Sequence, residues 1–293
     1  MHDLAPGRIR YALRLDAAGN VLSDITIWRH DTETFEVFAG RPDEFAHLQA
    51  STGSAVSVCD VSGETAIFAV QGPLSLRVLA GVASISALKT LPYFAHTPAS
   101  IGGIKCCIGR LGYTGERGFE IILPKCAREA VWALLAEHAR PAGFAAADIL
   151  RIEAGFSLFC NEFLFPVSPS ELGLARFAAT PECGRVSPPR ISPIRLISFQ
   201  AQCDQEPILW QPLKDAVFPP PSGTLLVTSA CCSIVSGEIL GLGYACCAQG
   251  VPHLVDQSGH FLEIREVVVP IDKRRPRGGW DDDLLPADAA SFI

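Results

Sequence analysis

The chain has 293 residues, of which 48% are hydrophobic, and carries a formal net charge of -7 at neutral pH. That apolar content can bury a large core in one or two domains, while the acidic balance excludes a general nucleic-acid binder, whose first need is a basic surface. Residues Met1-His2-Asp3-Leu4-Ala5-Pro6-Gly7 show no cationic segment followed by an apolar run, and no stretch reaches spanning length, so the expectation is a soluble cytoplasmic protein that engages no membrane.

Taken in chain order, the first elements read as strands. Tyr11-Ala12-Leu13-Arg14-Leu15 alternates, Asp16 to Asn20 turns, Val21 to Trp28 returns, and Phe35-Glu36-Val37-Phe38 adds a third strand. A helix is expected over Pro42 to Gln49, where Phe45 and Leu48 recur at i, i+3. Glu64 to Val70 reads as a further strand, Gln71-Gly72-Pro73 breaks it, and Leu74 to Leu79 begins a second helix.

A strand-like run then ends at Leu111, glycines fall at Gly112, Gly115 and Gly118, and alternation resumes with Phe119-Glu120-Ile121-Ile122-Leu123. This is the pattern of a hairpin whose glycines supply backbone angles with φ > 0, leaving Tyr113, Thr114 and Glu116 presented on the loop. A helix is expected from about Arg128 to His138.

Pro181 to Pro193 combines fixed proline angles with sparse apolar content and reads as a boundary. Beyond it, β-rich runs at Arg195–Phe199, Thr224–Thr228, Ile234–Leu240 and Val251–Val255 suggest an antiparallel barrel or sandwich. The closing segment sets Lys273, Arg274, Arg275 and Arg277 beside Asp281, Asp282 and Asp283 and reads as a solvated tail.

Eleven cysteines are an odd count, and the adjacent pairs Cys106-Cys107, Cys231-Cys232 and Cys246-Cys247 do not suit a disulfide framework. They read as small buried hydrophobes in a reducing compartment. No CxxC and no Cys/His group at zinc spacing occurs, so no metal site is expected.

Four blocks in order carry a more specific signal: Gly112-Tyr113-Thr114-Gly115-Glu116-Arg117-Gly118-Phe119-Glu120-Ile121, Asp148 to Gly155, Asn161-Glu162, and Pro169 to Leu174. This series resembles the aminomethyltransferase (glycine cleavage T-protein) and folate-dependent demethylase superfamily. The resemblance implies an α+β fold, with a T-protein-like folate-binding domain of mixed sheets and helices followed by a small antiparallel β-barrel. The expected division is 1–183 for the folate domain, 184–193 for a linker, 194–280 for the barrel and 281–293 for the tail.

The resemblance also implies tetrahydrofolate as cofactor, with two carboxylates at its ring. Glu153, in an apolar context where a carboxylate is costly to bury without a partner, matches the family residue at the pterin edge. Asp24 matches the family acid at the reacting nitrogens and is the expected catalytic residue; Ser23 stands where the family has a second acid. Tyr11 and Trp28 are the expected aromatic walls, and Tyr113 an additional cavity residue. Arg176 and Arg185 are alternatives for the folate tail.

Family members carry about 70–90 residues before the segment seen here as Gly7-Arg8-Ile9-Arg10-Tyr11, a length within one domain's range. The folate domain is therefore expected to be incomplete at its N-terminus. Three activities are compatible with this reading: transfer of an aminomethyl group from a lipoylated H-protein, removal of an N-, O- or S-methyl group from a small-molecule donor, and folate binding without turnover.

Overall fold

A computed structural model describes residues 3–83, 86–178, 192–202, 216–246, 254–255 and 261–269. The first sheet is antiparallel in the order β1 (Ile9–Leu15), β2 (Val21–Arg29), β3 (Phe35–Ala39). Asp16 closes its first turn by accepting the backbone N–H groups of Ala18 and Asn20 at 2.9 and 2.8 Å, the local capture that favours Asp in turns. Helix α1 (Glu44–Ser51) follows, with Glu44 buried in its first turn.

The second sheet has the order β4 (Thr65–Gln71), β7 (Gly118–Pro124), β6 (Ile104–Gly109), β5 (His96–Ile101). Alternation along β7 turns Phe119, Ile121 and Leu123 toward a core shared with α2 (Ser75–Ala80), α3 (Ser86–Lys89) and α4 (Arg128–Ala136). The other face meets the first sheet, where Trp28 packs with Ile9, Leu111 and Ile122. Backbone bonds stitch the seam: Ile9 N–H donates to Phe94 at 2.8 Å and His96 N–H to Gly7 at 2.9 Å.

Beyond α5 (Phe144–Ala154) lies a third sheet of order β13-β8-β10-β9, built from β8 (Ile194–Ala201), β9 (Leu225–Cys232), β10 (Ile239–Cys246) and β13 (Ile264–Val267). A two-stranded ribbon pairs β11 (Leu254–Val255) with β12 (Phe261–Leu262). Among the described residues no ladder joins the edge strands β13 and β9, so the expected barrel is an open sheet there. The linker at 184–193 and the tail at 281–293 lie outside the described residues, apart from 192–193.

Two sequence expectations are corrected. The strand expected over Ile234–Leu240 begins only at Ile239, because Ser233 to Gly237 form the turn and Ile234 is 82% exposed. Among the eight described cysteines only Cys231 is buried, and Cys59, Cys126, Cys160 and Cys232 are exposed. Consecutive strand residues point to opposite faces, so an adjacent pair cannot bury both thiols on one side.

The third sheet joins the rest through a buried ion pair. Arg151, 1% exposed, extends from α5 to Glu162 Oε2 at 3.3 Å, to Asp148 at 2.9 Å and to Ser229 Oγ on β9 at 2.7 Å. Glu162, fully buried, accepts from Leu158 N–H, Thr228 Oγ1 and Ser229 Oγ, each at 2.6 Å. Replacing Glu162 with Ala leaves Arg151 with Asp148 as its remaining carboxylate and takes the acceptor from Leu158 N–H and Ser229 Oγ, so the expected loss is about 2–4 kcal/mol. Urea denaturation measures it; a loss below about 1 kcal/mol would mean that water reaches the guanidinium.

Candidate functional site

Two of the expected site residues, Asp24 and Tyr11, come together on the first sheet. In the β1–β2 register Tyr11 lies opposite Thr26 and Leu13 opposite Asp24, so Tyr11 is the diagonal neighbour of Asp24 on the same face. Its phenol donates to Asp24 Oδ2 at 3.1 Å. A cavity of about 220 Å³ opens beside this pair, lined by Asp24, Ile25, Thr26, Phe38, Ala39 and Gly40. The Phe159 ring fills the space beside Gly40 where a Cβ would stand, which explains a glycine at that rim.

Burial pushes the Asp24 carboxyl above its ordinary range; the Tyr11 hydrogen bond draws it partly back, and the nearby Glu44 carboxylate pushes it up again. Glu44 arrives from α1 behind the strand. It accepts from Ser23 Oγ and from Arg14 Nε, the latter at 2.7 Å, while Arg14 Nη2 donates to Asp43 at 2.7 Å. A carboxylate therefore stands against Ser23, supplied from 21 residues away.

Trp28 is not a wall of this cavity. It is fully buried, packed over Gly109 and edge-on to Phe38 with centroids 5.5 Å apart. Alternation carries the Asp24 and Thr26 face into the seam between the sheets at that point, and the aromatic position beside the cavity falls to the half-buried Phe38. On the other side, Phe177 meets Tyr11 edge-on at 4.8 Å, and the Arg176 guanidinium lies 4.6 Å from the Phe177 centroid. Arg176 thus stands one ring from Tyr11; Arg185 lies outside the described residues.

The glycine-rich loop joins β6 to β7 as expected, but for another reason. Only Gly115 has positive φ, at 71°; Gly112 and Gly118 are required because the Gln71 side-chain amide occupies the space of their absent Cβ atoms. Gln71 Nε2 donates to the carbonyls of Leu111 at 3.4 Å and Phe119 at 3.2 Å, and Thr114 Oγ1 donates to Gln71 Oε1 at 3.2 Å. This holds Tyr113 with its hydroxyl donating to the Ser157 carbonyl and its ring stacked on Phe156 at 5.7 Å. The Asp24 carboxylate and the Tyr11 phenol both lie close enough to couple electrostatically to Tyr113.

Glu153 does not face the cavity beside Asp24. It is 3% exposed, and its Oε1 accepts from Ser233 Oγ at 2.8 Å, Ile234 N–H at 3.1 Å and Val235 N–H at 3.4 Å. A buried carboxylate needs donors, and the β9–β10 turn provides them. In this structure Glu153 anchors that turn to α5.

The sequence profile of the GCVT N-terminal domain matches residues 1–181. The chain belongs to the glycine cleavage T-protein superfamily. An aminomethyltransferase of Saccharopolyspora erythraea is 36% identical over 180 residues, which is 58% of this chain and 48% of that protein. One of Thermus thermophilus is 36% identical over 171 residues, 57% of this chain and 49% of the other. The chain thus aligns with about half the length of these relatives. In fold it matches the crystal structure of glycine cleavage system aminomethyltransferase T from Bartonella henselae, with TM-score 0.68 and 23% identity over 92% of this chain and 77% of that one.

Within this superfamily fold, local sequence could not reveal Phe38, Phe177, Gln71 or Glu44 as neighbours of the site, since each arrives from a separate element. Glu120, in the Gly-Phe-Glu-Ile block, was readable only as an alternating strand residue. It sits between Ala69 and Gly109 on the neighbouring strands, and burial pushes it up to about 7. Its ordinary value is 4.5. The folded state therefore keeps the proton longer, and stability falls as pH rises from 4.5 to about 7, with the full loss present above that. Glu120→Gln is expected to gain about 1–3 kcal/mol near pH 8 and almost nothing near pH 4. Denaturation at the two pH values reads this directly, and an equal midpoint for both proteins at the higher pH refutes it.

Proposed function

We propose that this chain acts in tetrahydrofolate-dependent aminomethyl transfer, with Asp24 as the residue that handles the proton at the reacting nitrogen. The observation that carries this reading is the Asp24–Tyr11 pair at the cavity, in a chain related to proteins named aminomethyltransferase. A cavity of about 220 Å³ is below the roughly 300–1,000 Å³ of sites that enclose a drug-sized ligand. It suits a single bicyclic head rather than a whole folate. An aromatic ring at Phe38, a hydroxyl at Thr26 and a carboxylate at Asp24 match a flat ring with polar edges. Arg176, exposed on its Phe177 platform, is the residue this reading assigns to an anionic tail.

When bound, tetrahydrofolate supplies a nitrogen able to take up a one-carbon unit. Asp24 works through its ionised form, which accepts a proton or stabilises positive charge beside it. The Tyr11 phenol donates to Oδ2 and fixes the carboxylate's orientation. Desolvation keeps Asp24 a stronger base than an exposed aspartate. A lipoylated H-protein is the proposed aminomethyl donor, and no other nucleophile is needed from the chain.

Asp24→Asn should reduce turnover by about 10²–10⁴-fold while leaving tetrahydrofolate affinity within a few-fold. Because burial disfavours the charged form, the same substitution should leave thermal stability unchanged or higher. The assay follows methylene-tetrahydrofolate formation from lipoyl-bound aminomethyl groups, with calorimetry for binding. Full activity in the variant removes Asp24 from this role, and turnover only with methylated small molecules makes the chain a demethylase.

Tyr11→Phe deletes a hydrogen bond that favours ionised Asp24. The acidic limb of kcat/KM is therefore expected to move to higher pH, with activity near pH 8 retained to within about tenfold. An unmoved limb would show that another group titrates in the profile.

A further inference from the structure

The seam between the first two sheets gathers a second group of chemically competent side chains, distinct from the Asp24 site. His30 follows β2, His96 opens β5 and Cys107 lies on β6. One ring nitrogen of each histidine and Cys107 Sγ all lie within 4.8 Å of one another. The His96 Nδ1 to Cys107 Sγ distance is already 3.3 Å, and the two imidazole centroids are 4.8 Å apart. Zinc bonds of about 2.0–2.1 Å to nitrogen and 2.3 Å to sulfur place neighbouring ligand atoms roughly 3.3–3.8 Å apart in a tetrahedron. Small side-chain adjustments bring this group to that spacing.

The groups behind these side chains point the same way. His96 Nε2 lies 3.0 Å from the Arg29 carbonyl, which can only accept, so Nε2 carries the hydrogen and Nδ1 presents its lone pair toward Cys107. His30 Nε2 lies 3.0 Å from Glu36 Oε2, which assigns its hydrogen to Nε2 and leaves Nδ1 with a lone pair. A carbonyl and a carboxylate holding the far nitrogens of two imidazoles is the supporting arrangement of histidine metal ligands. The His30 side chain remains 30% exposed, giving an ion a route inward.

We propose that His30, His96 and Cys107 bind a zinc-class divalent cation, with Glu36 and the Arg29 carbonyl orienting the two imidazoles. Two nitrogens and a thiolate suit a borderline-soft ion better than Mg²⁺ or Ca²⁺, which take oxygen ligands. Binding releases the Cys107 thiol proton to solvent. The thiolate lowers the ion's charge by one, and Glu36 stands close enough to balance the remainder. The three ligands come from both sheets, so the ion would pin the seam that Ile9, Phe94, Gly7 and His96 already hydrogen-bond. A fourth position is left to water.

The test uses the full chain, reduced, stripped with chelator and titrated with Co²⁺ and then Zn²⁺. One equivalent of Co²⁺ should bind with a thiolate-to-metal charge-transfer band, be displaced by Zn²⁺, and raise the thermal midpoint. Cys107→Ser and His30→Ala should abolish the band, Glu36→Gln should weaken binding about 10–100-fold, and Cys106→Ser should change nothing. Zn²⁺ should also protect Cys107 of the unmutated chain from alkylation, mapped by peptide mass, which keeps the test independent of how the variants fold. Absence of the band in the folded chain, its persistence in Cys107→Ser, or alkylation of Cys107 at an unchanged rate with Zn²⁺ overturns the site.

Discussion

The arrangement of the Asp24 cavity depends on a buried charge 127 residues further along the chain, at Arg151. An isolated guanidinium in this interior is prohibitively costly to desolvate, so α5 and the 156–162 loop must fold where Glu162, Asp148, the Phe156 carbonyl and Ser229 converge on it. That convergence has consequences in two directions. It sets Ser157, which receives the Tyr113 hydroxyl, and Phe159, which packs against Gly40 at the cavity rim. It also fastens β9 of the third sheet, since Thr228 and Ser229 both donate to Glu162 and Tyr244 donates to its carbonyl. A pair of this kind does not outperform a well-packed apolar core in stability. What it does here is join three segments in one hydrogen-bonded network.

At Asp24 the competing electrostatic influences are of different kinds. Desolvation and the neighbouring Glu44 charge favour the neutral acid, whereas the Tyr11 hydroxyl favours the carboxylate. The Arg14 guanidinium is committed to Glu44 and Asp43 behind the strand. The result is a carboxylate without an ion-pair partner among the described residues, on a strand braced by β1 and β3. Strand backbone leaves little freedom for such a side chain to drift.

Much of the first half of the fold is legible in local sequence. The three N-terminal strands, α1, α2, α4 and the β6–β7 hairpin fall within a few residues of the expected positions, because alternation and turn residues act over short range. The β9–β10 turn was misplaced for the opposite reason. Ile234 and Val235 look like strand residues, but their N–H groups are captured by Glu153 from α5, a long-range contact that no window of neighbouring residues contains. Gly112 and Gly118 show the same limit: their necessity arises from Gln71, on another strand.

By itself the sequence determined membership in the T-protein superfamily and the placement of Asp24 and Tyr11 on adjacent strands. Ordered blocks, period-two alternation and residue chemistry are all local properties. Only the tertiary structure decided that Trp28 lies inside the seam, that Glu153 serves a turn, and that Glu44 stands behind Ser23. It alone brought His30, His96 and Cys107 within 4.8 Å. Each of these outcomes depends on which elements pack together, and burial and pairing of charge are settled by that packing rather than by spacing along the chain.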